Sequence, residues 1–203
     1  MKIAEFYNLI GRHSSPVILL EGIRALPAEK HLELVSLGEM LAKNLPNIKF
    51  RTGNATGSDE AFTEGVAKVD PGRLEYILPY SGHRKKKIFP QATCYALNTV
   101  SDNVSDSEKM ETLFKNTLIA SPAYRELLSK GKNIPKLRAK INYLLRDTMK
   151  VVGISKEIPG ATAGIFFANI SDPMKGGTGH TIRVCRENNI PVILQNDWIQ
   201  WLS

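Results

Sequence analysis

The chain has 203 residues, 42% of them hydrophobic and 23% charged, which are ordinary proportions for a globular protein with a continuous core. No apolar segment approaches the roughly 20 residues that a membrane-spanning helix needs, so we expect no membrane partner. The net charge of +7 suits phosphate-bearing partners, although excess charge affects steering more than fold.

The cellular compartment is predicted from the first residues and the cysteines. Residues 1–12 lack an uninterrupted apolar core and a small-residue cleavage site, so we expect no signal peptide. Cys94 and Cys185 lie far apart without metal-ligand spacing, and each is predicted to be a small core residue. A reduced, cytoplasmic protein without a metal site is the simplest interpretation.

The hydrophobic pattern predicts five short strands that alternate with helices. The strands are predicted at 17–22, 48–51, 74–79, 164–168 and 190–194. The first connecting helix has Pro27 in its first turn and stops at 44–47, and Ser58 or Asp59 is predicted to cap the next one. A helix is expected from Pro135 to about residue 151, and another over 182–187.

Residues 91–159 are predicted to be an additional helical segment inserted before the fourth strand. Ser105 and Glu108 have the spacing of a capping box there. The segment has no linker composition, so we expect a single domain over 1–203. The fold class is α/β, with a mostly parallel sheet covered by helices on both faces.

Two glycine-containing loops follow predicted strands. Thr52-Gly53-Asn54-Ala55-Thr56-Gly57-Ser58-Asp59 follows the second strand, and Lys175-Gly176-Gly177-Thr178-Gly179-His180-Thr181 follows the fourth. Glycines let the backbone approach a ligand, and the free N–H groups of a helix's first turn face an anion. Right-handed crossovers place both loops, with Arg24 and the basic run His83–Lys87, at the carboxyl edge of the sheet.

In order along the chain, these motifs resemble the SLOG superfamily of Rossmann-like proteins, which includes LOG phosphoribohydrolases, DprA-type DNA-processing proteins and YpsA-like proteins. The resemblance rests on Glu21-Gly22-Ile23-Arg24, the 51–59 segment, Arg146-Asp147 and Gly176-Gly177-Thr178-Gly179-His180-Thr181. The 51–59 segment is similar to the family's SGGAxGxD pattern, with Thr52 and Asn54 as departures. The resemblance covers most of the chain, from about residue 17 to 195.

This resemblance implies a pocket for a nucleotide or a nucleotide-derived ligand, such as a dinucleotide derivative, and the sequence shows no required cofactor. The residues carried over as ligand-binding are Arg24, Gly53, Asn54, Ala55, Gly57, Ser58, Asp59, Gly176, Gly177, Thr178, Gly179, His180 and Thr181. Ordinary structural roles remain open for several of them: a helix cap for Asp59, ion pairs for Arg24 and Arg146, and a solvated loop position for His180. By analogy with SLOG relatives, a homo-oligomer is also implied.

The resemblance does not extend to a catalytic residue. LOG phosphoribohydrolases have a PGGxGTxxE loop whose glutamate assists glycosidic cleavage. Here Lys175 replaces the proline, and the glutamate position falls at Arg183–Val184, where there is no carboxylate. No Ser/His/Asp or Cys/His set stands at a diagnostic spacing either, so the catalytic residues stay unassigned.

Three functions are therefore open. The first is a module that senses, sequesters or carries a nucleotide-derived molecule. The second is a hydrolase for the N-glycosidic or phosphoester bond of such a molecule, which needs a carboxylate from the helical segment. The third is a DprA-like single-stranded nucleic-acid binder that uses Arg84, Lys85, Lys86 and Lys87, although this run lacks interleaved aromatic residues.

Overall fold

The computed structural model describes residues 1–100, 106–131 and 134–202, and this part of the chain contains a six-stranded sheet in the order β4-β3-β2-β1-β5-β6. All the paired strands are parallel. The strands are β1 (Val17–Gly22), β2 (Lys49–Thr52), β3 (Leu74–Leu78), β4 (Thr93–Ala96), β5 (Ala163–Phe167) and β6 (Val192–Leu194). The strand order reverses between β1 and β5, as in doubly wound Rossmann-like folds, so the predicted fold class is confirmed.

Helices cover both faces of the sheet. They are α1 (Ile3–Ile10), α2 (Ala28–Asn44), α3 (Ser58–Ala67), α4 (Leu97–Val100), α5 (Asp106–Ala120), α6 (Arg125–Lys130), α7 (Pro135–Val152), α8 (Gly176–Glu187) and α9 (Gln195–Trp198). None of these helices is long and apolar enough to cross a membrane.

The alternation of side chains along β1 divides the core between the two faces. Ile18 and Leu20 join a cluster with side chains of α1, α2 and α3, whereas Leu19 packs in a cluster with side chains of α8. Because successive side chains of a strand point to opposite faces, one continuous apolar run supplies both cores.

The observed elements correct several sequence expectations. The segment at 91–159 is not wholly helical, because it includes the edge strand β4. Helix α8 begins at Gly176, so the predicted glycine loop is the first turn of that helix. Helix α3 has Gly57 at its N-cap, and neither Ser58 nor Asp59 caps it. Cys185 is buried as expected, but Cys94 is exposed on β4. Ser105 lies outside the described residues.

Candidate functional site

A cavity of about 810 Å³ opens at the carboxyl edge of the sheet, next to the point where the strand order reverses. Its walls come from the end of β1 and the loop after it, from α7, and from the first turn of α8. The lining residues are Glu21, Gly22, Ile23, Arg24, Ala25, Ala55, Asp59, Tyr124, Ala139, Lys140, Tyr143, Leu144, Arg146, Asp147, Lys150, Lys175, Gly176, Gly177 and Thr178. The predicted convergence of Arg24 and the two glycine segments is thus observed.

The first glycine segment is held by its own carboxylate. Asp59 Oδ2 accepts hydrogen bonds from the backbone N–H groups of Gly53 at 3.2 Å and Ala55 at 3.1 Å. A Cβ on Gly53 would lie 1.5 Å from Nη1 of Arg146, so only glycine lets this guanidinium pack against the loop. Asp59 therefore orders the loop, and Gly53 makes room for Arg146.

Other residues of this segment also have structural partners. The Asn54 backbone has a left-handed φ of 56°, and its side-chain amide donates to the His83 carbonyl at 3.2 Å. Ser58 Oγ donates to the Ile23 carbonyl at 2.9 Å. Gly57 has a φ of 79° and packs against the Arg24 carbonyl, where a Cβ would lie 2.2 Å away. These residues shape the loop, and Ala55 and Asp59 are its members that line the cavity.

The first turn of α8 also lines the cavity. Thr178 Oγ1 donates to the Gly22 carbonyl at 2.9 Å and ties this turn to the end of β1. Thr181 Oγ1 donates to the Gly177 carbonyl at 3.2 Å. Helix N-termini carry backbone N–H groups without helical acceptors, and Gly176 and Gly177 are exposed here, so the turn has the geometry of an anion site.

Three of the predicted ligand residues in this helix, Gly179, His180 and Thr181, do not line the cavity. Gly179 is buried against the backbone of Met174. His180 is fully buried, with Nδ1 2.9 Å from Ser121 Oγ and Nε2 3.1 Å from Thr148 Oγ1. Burial lowers the His180 pKa to about 4, so the ring is neutral at neutral pH. It is neither a ligand contact nor a solvated histidine, because α8 turns it toward α5 and α7.

A buried ionic cluster forms the floor of the cavity. The Lys150 ammonium contacts the carboxylate of Glu21 and lies 2.8 Å from Oδ1 of Asp147. Arg146 Nε lies 3.3 Å from the same Asp147 oxygen. Glu21, Arg146 and Asp147 stand in the motifs that carry the resemblance, but none of them was predicted to bind the ligand. Lys150 was not singled out at all. The available signal for Glu21 was its position, since it is a charged residue directly after the apolar run of β1.

The two carboxyls of this cluster have opposite pKa shifts. Burial, together with the negative charges of Asp59 and Asp147, raises the pKa of Glu21 to about 7 although Lys150 opposes this. Burial also acts to raise the pKa of Asp147, but Arg146 and Lys150 outweigh it and leave that pKa below its usual value. Asp147 is therefore ionised at neutral pH, where Glu21 is partly protonated.

Arg146 has unused hydrogen-bonding capacity. The residue is only 3% exposed, and its Nη1 atom has no hydrogen-bond acceptor in the described part of the chain. Its guanidinium lies 5.5 Å from the ring centroid of Tyr143, and the guanidinium of Arg24 lies 5.6 Å from the same ring. A buried guanidinium N–H group without an acceptor is costly unless another group supplies one.

The basic run has mixed roles. Arg84 donates to the Asn54 carbonyl at 2.8 Å and pairs with Glu60 at 2.6 Å, and Lys87 lies 3.5 Å from the same Glu60 oxygen. Lys85 and Lys86 are exposed. Arg84 therefore stabilises the first glycine segment, and Lys85 and Lys86 have no ion-pair partner among the described residues.

Among the residues that the structure describes, no group of three or more His, Cys, Asp or Glu side chains is arranged to hold a metal ion. No family model matches the chain, and no curated protein matches it. Among solved structures, the chain is similar to DNA processing protein A from Helicobacter pylori, which was described for its single-stranded DNA binding mode. The identity is 13% and the TM-score 0.45, over 92% of this chain and 67% of that one. A likeness of this degree carries no argument about function.

Proposed function

We propose that the cavity binds a nucleotide or nucleotide-derived ligand through its phosphate. The observation that carries the proposal is Arg146, a buried guanidinium that lines the cavity together with the first turn of α8 and whose Nη1 has no acceptor among the described residues. A phosphate in the cavity accepts from this guanidinium and from the backbone N–H groups of Gly176 and Gly177. The resemblance of the glycine segments to the SLOG superfamily agrees with this class of ligand.

The charges of the lining favour an anion as well. The cationic side chains Arg24, Lys140, Arg146, Lys150 and Lys175 outnumber the carboxylates Glu21, Asp59 and Asp147. Glu21 is partly neutral at neutral pH because its pKa is raised, which makes the excess of positive charge larger. A concave site with this balance concentrates anionic ligands.

The test is a calorimetric titration of AMP and ribose 5-phosphate into wild type and Arg146→Met. The variant keeps the aliphatic bulk and loses the guanidinium, so we expect affinity for both compounds to fall at least about 10-fold. Arg12→Met removes the same charge from an exposed turn ahead of β1 and serves as the control. Equal affinities of wild type and a folded Arg146→Met protein would overturn the assignment.

A hydrolase is the second candidate, and the Glu21–Asp147 pair favours it. Both carboxyls contact one ammonium, and Asp147 is supplied by α7, within the segment predicted to be the helical insert. Carboxyl groups whose pKa values are pushed apart serve as acid and base in many hydrolases. Incubation of nucleotides with wild type and Glu21→Gln, followed by product analysis, tests this. Turnover that is lost in Glu21→Gln supports the hydrolase, and intact nucleotide in every sample supports simple binding.

A further inference from the structure

Two chemically different sets of residues line the cavity. The ionic residues are Glu21, Arg146, Asp147 and Lys150, which line it together with the first turn of α8. The apolar and aromatic residues are Tyr124, Ala139, Tyr143 and Leu144. A ligand that contacts both sets has an anionic group and a flat, weakly polar group.

Tyr124 is fixed by its neighbours and is still half-exposed. Its backbone N–H donates to the Ser121 carbonyl at 3.0 Å, at the end of the short 3-10 helix Pro122–Tyr124. Its ring packs edge-on against His180, with centroids 5.9 Å apart and an interplanar angle of 74°. His180 is itself locked between Ser121 and Thr148, so it acts as a positioning residue for this tyrosine.

The contact on the face of the Tyr124 ring is a replaceable one. The ammonium of Lys140 lies 5.7 Å from the ring centroid, and Lys140 is an exposed side chain. An exposed cation–π contact is weak, and a lysine side chain can leave it by rotating its flexible stem. The face of Tyr124 is therefore accessible to a flat ligand group.

Tyr143 has a different role because its surroundings are crowded. The guanidinium groups of Arg24 and Arg146 both lie against its ring, and the His83 ring packs edge-on at 5.8 Å. These contacts place the cations, so removal of the Tyr143 ring is expected to weaken phosphate binding rather than base binding.

We propose that Tyr124 is a stacking platform for the aromatic base of the ligand, whose phosphate lies at Arg146 and the start of α8. The preferred ligand is then a nucleotide with an intact base rather than a bare sugar phosphate. Lys140 moves off the ring when the base binds and is free to contact a ligand oxygen. This inference rests on the proposed phosphate site and adds the feature that selects the ligand.

The test compares AMP with ribose 5-phosphate on wild type, Tyr124→Leu, Tyr124→Phe and Tyr143→Leu by calorimetry. We expect Tyr124→Leu to lose about 10-fold in AMP affinity with no change for ribose 5-phosphate, and Tyr124→Phe to retain both affinities. Tyr143→Leu is expected to weaken both compounds. Tyr95→Leu, in β4 and outside this cavity, is the matched control. Equal losses for both compounds in Tyr124→Leu, or no loss, would overturn the platform.

A second measurement, made on wild type, does not depend on whether Tyr124→Leu folds. The 5′-monophosphate of 2-aminopurine riboside is titrated into wild type, and we expect its fluorescence to be quenched as the base stacks on the tyrosine. Calorimetric binding without quenching contradicts stacking. If ribose 5-phosphate binds wild type as tightly as AMP does, the platform is wrong and the phosphate site stands. If neither compound binds, both proposals are wrong.

Discussion

Glu21 and His180 are buried ionisable side chains whose pKa values depart from their usual values in opposite senses. Glu21 keeps its proton up to about pH 7 in the folded protein, compared with 4.5 for a solvated glutamate. The unfolded chain binds fewer protons across that window, so Glu21 makes the free energy of unfolding fall as the pH rises. His180 has a pKa of about 4 instead of 6.5, so it makes that free energy fall as the pH drops from 6.5 to 4.

These two opposing contributions are separated by single substitutions. In Glu21→Gln the contribution of His180 remains, so stability relative to wild type is expected to increase as the pH rises from about 4.5 to 7. In His180→Gln the opposite trend is expected. Urea unfolding at a series of pH values measures both. Curves that run parallel to wild type for both variants would show that neither group has a shifted pKa.

Gly177 is exposed in the first turn of α8, and its φ is not in the left-handed region, so other residues fit its backbone. A Cβ there would lie 3.3 Å from Asp147 Oδ2, which a small adjustment of that side chain accommodates. Gly177→Asp places a second carboxylate where we propose the phosphate binds, so we expect it to abolish AMP binding. Gly177→Ala is the matched control and should retain most of the affinity. Unchanged binding by a folded Gly177→Asp protein contradicts the phosphate position.

At the residue scale, the sequence predicted which segments surround the cavity better than it predicted what each side chain does. Arg24, Ala55, Gly176 and Gly177 line the cavity as expected. Asp59 and Thr178 line it as well, but both are engaged with backbone partners. Glu21 and Lys150 were missed because their contact joins residues 129 positions apart, which no local pattern reveals.

Among the elements, helices α2 and α3 approach each other closely through two glycines. A Cβ on Gly65 would lie 2.0 Å from the Val35 carbonyl oxygen, and one on Gly38 would lie 2.4 Å from that of Phe62. Alanine is favoured over glycine within a helix by about 1 kcal/mol. Both contacts are with backbone atoms, so a Cβ at either position fits only if the two helices move apart. We expect the cost of this movement to exceed the gain in helix propensity from alanine.

We therefore expect Gly65→Ala to lower the free energy of unfolding by about 2 kcal/mol. Ser36→Ala, on the exposed side of α2, should change it by less than about 0.5 kcal/mol. Chemical denaturation of both variants and wild type measures these changes in the free energy of unfolding. An increase in stability for Gly65→Ala would mean that the two helices are less tightly packed than described.

Strands with long apolar runs were predicted correctly, whereas an edge strand without such a run and a helix start rich in glycine were missed. The buried strands β1, β3 and β5 were predicted within one residue at each end. Strand β4 was missed because it is a four-residue edge strand with half-exposed side chains and no continuous apolar run. The early start of α8 was missed because its first four residues include three glycines, which disfavour a helix by propensity, whereas packing against Met174 and β1 fixes them.

For the whole molecule, the net charge of +7 raises the question of nucleic-acid binding. Arg84 is engaged by Glu60 and Asn54, so Lys85 and Lys86 are the residues of the basic run whose role in any such binding is to be tested. We expect the double variant Lys85→Ala/Lys86→Ala to reduce the salt dependence of single-stranded DNA binding and to leave AMP affinity unchanged. Gel-shift assays at several salt concentrations and AMP titrations on the same protein separate the two sites. A parallel loss of both would mean that they form one surface.

The convergence of loops at one sheet edge is a whole-molecule property that the sequence predicts well. Parallel strands with right-handed crossovers place every strand-to-helix connection at the carboxyl edge. The contribution of α7 to the cavity was not predictable in the same way, because its direction across the sheet depends on tertiary packing. That packing brings Tyr143, Arg146 and Lys150 to the site.

The central claim is that this cavity binds a phosphate-bearing nucleotide, and a thermal-shift panel tests it most directly. Wild type is heated with mononucleotides, cyclic nucleotides, NAD, ADP-ribose and ribose 5-phosphate. A ligand at about 100 times its Kd adds about 2.7 kcal/mol of stability, which for a domain of this size raises Tm by about 5 to 10 °C. We predict such a shift for at least one nucleotide in wild type and, at the same ligand concentration, a shift of at most about half that size in Arg146→Met. The absence of a shift with every compound, at concentrations that saturate ordinary nucleotide sites, would contradict the account.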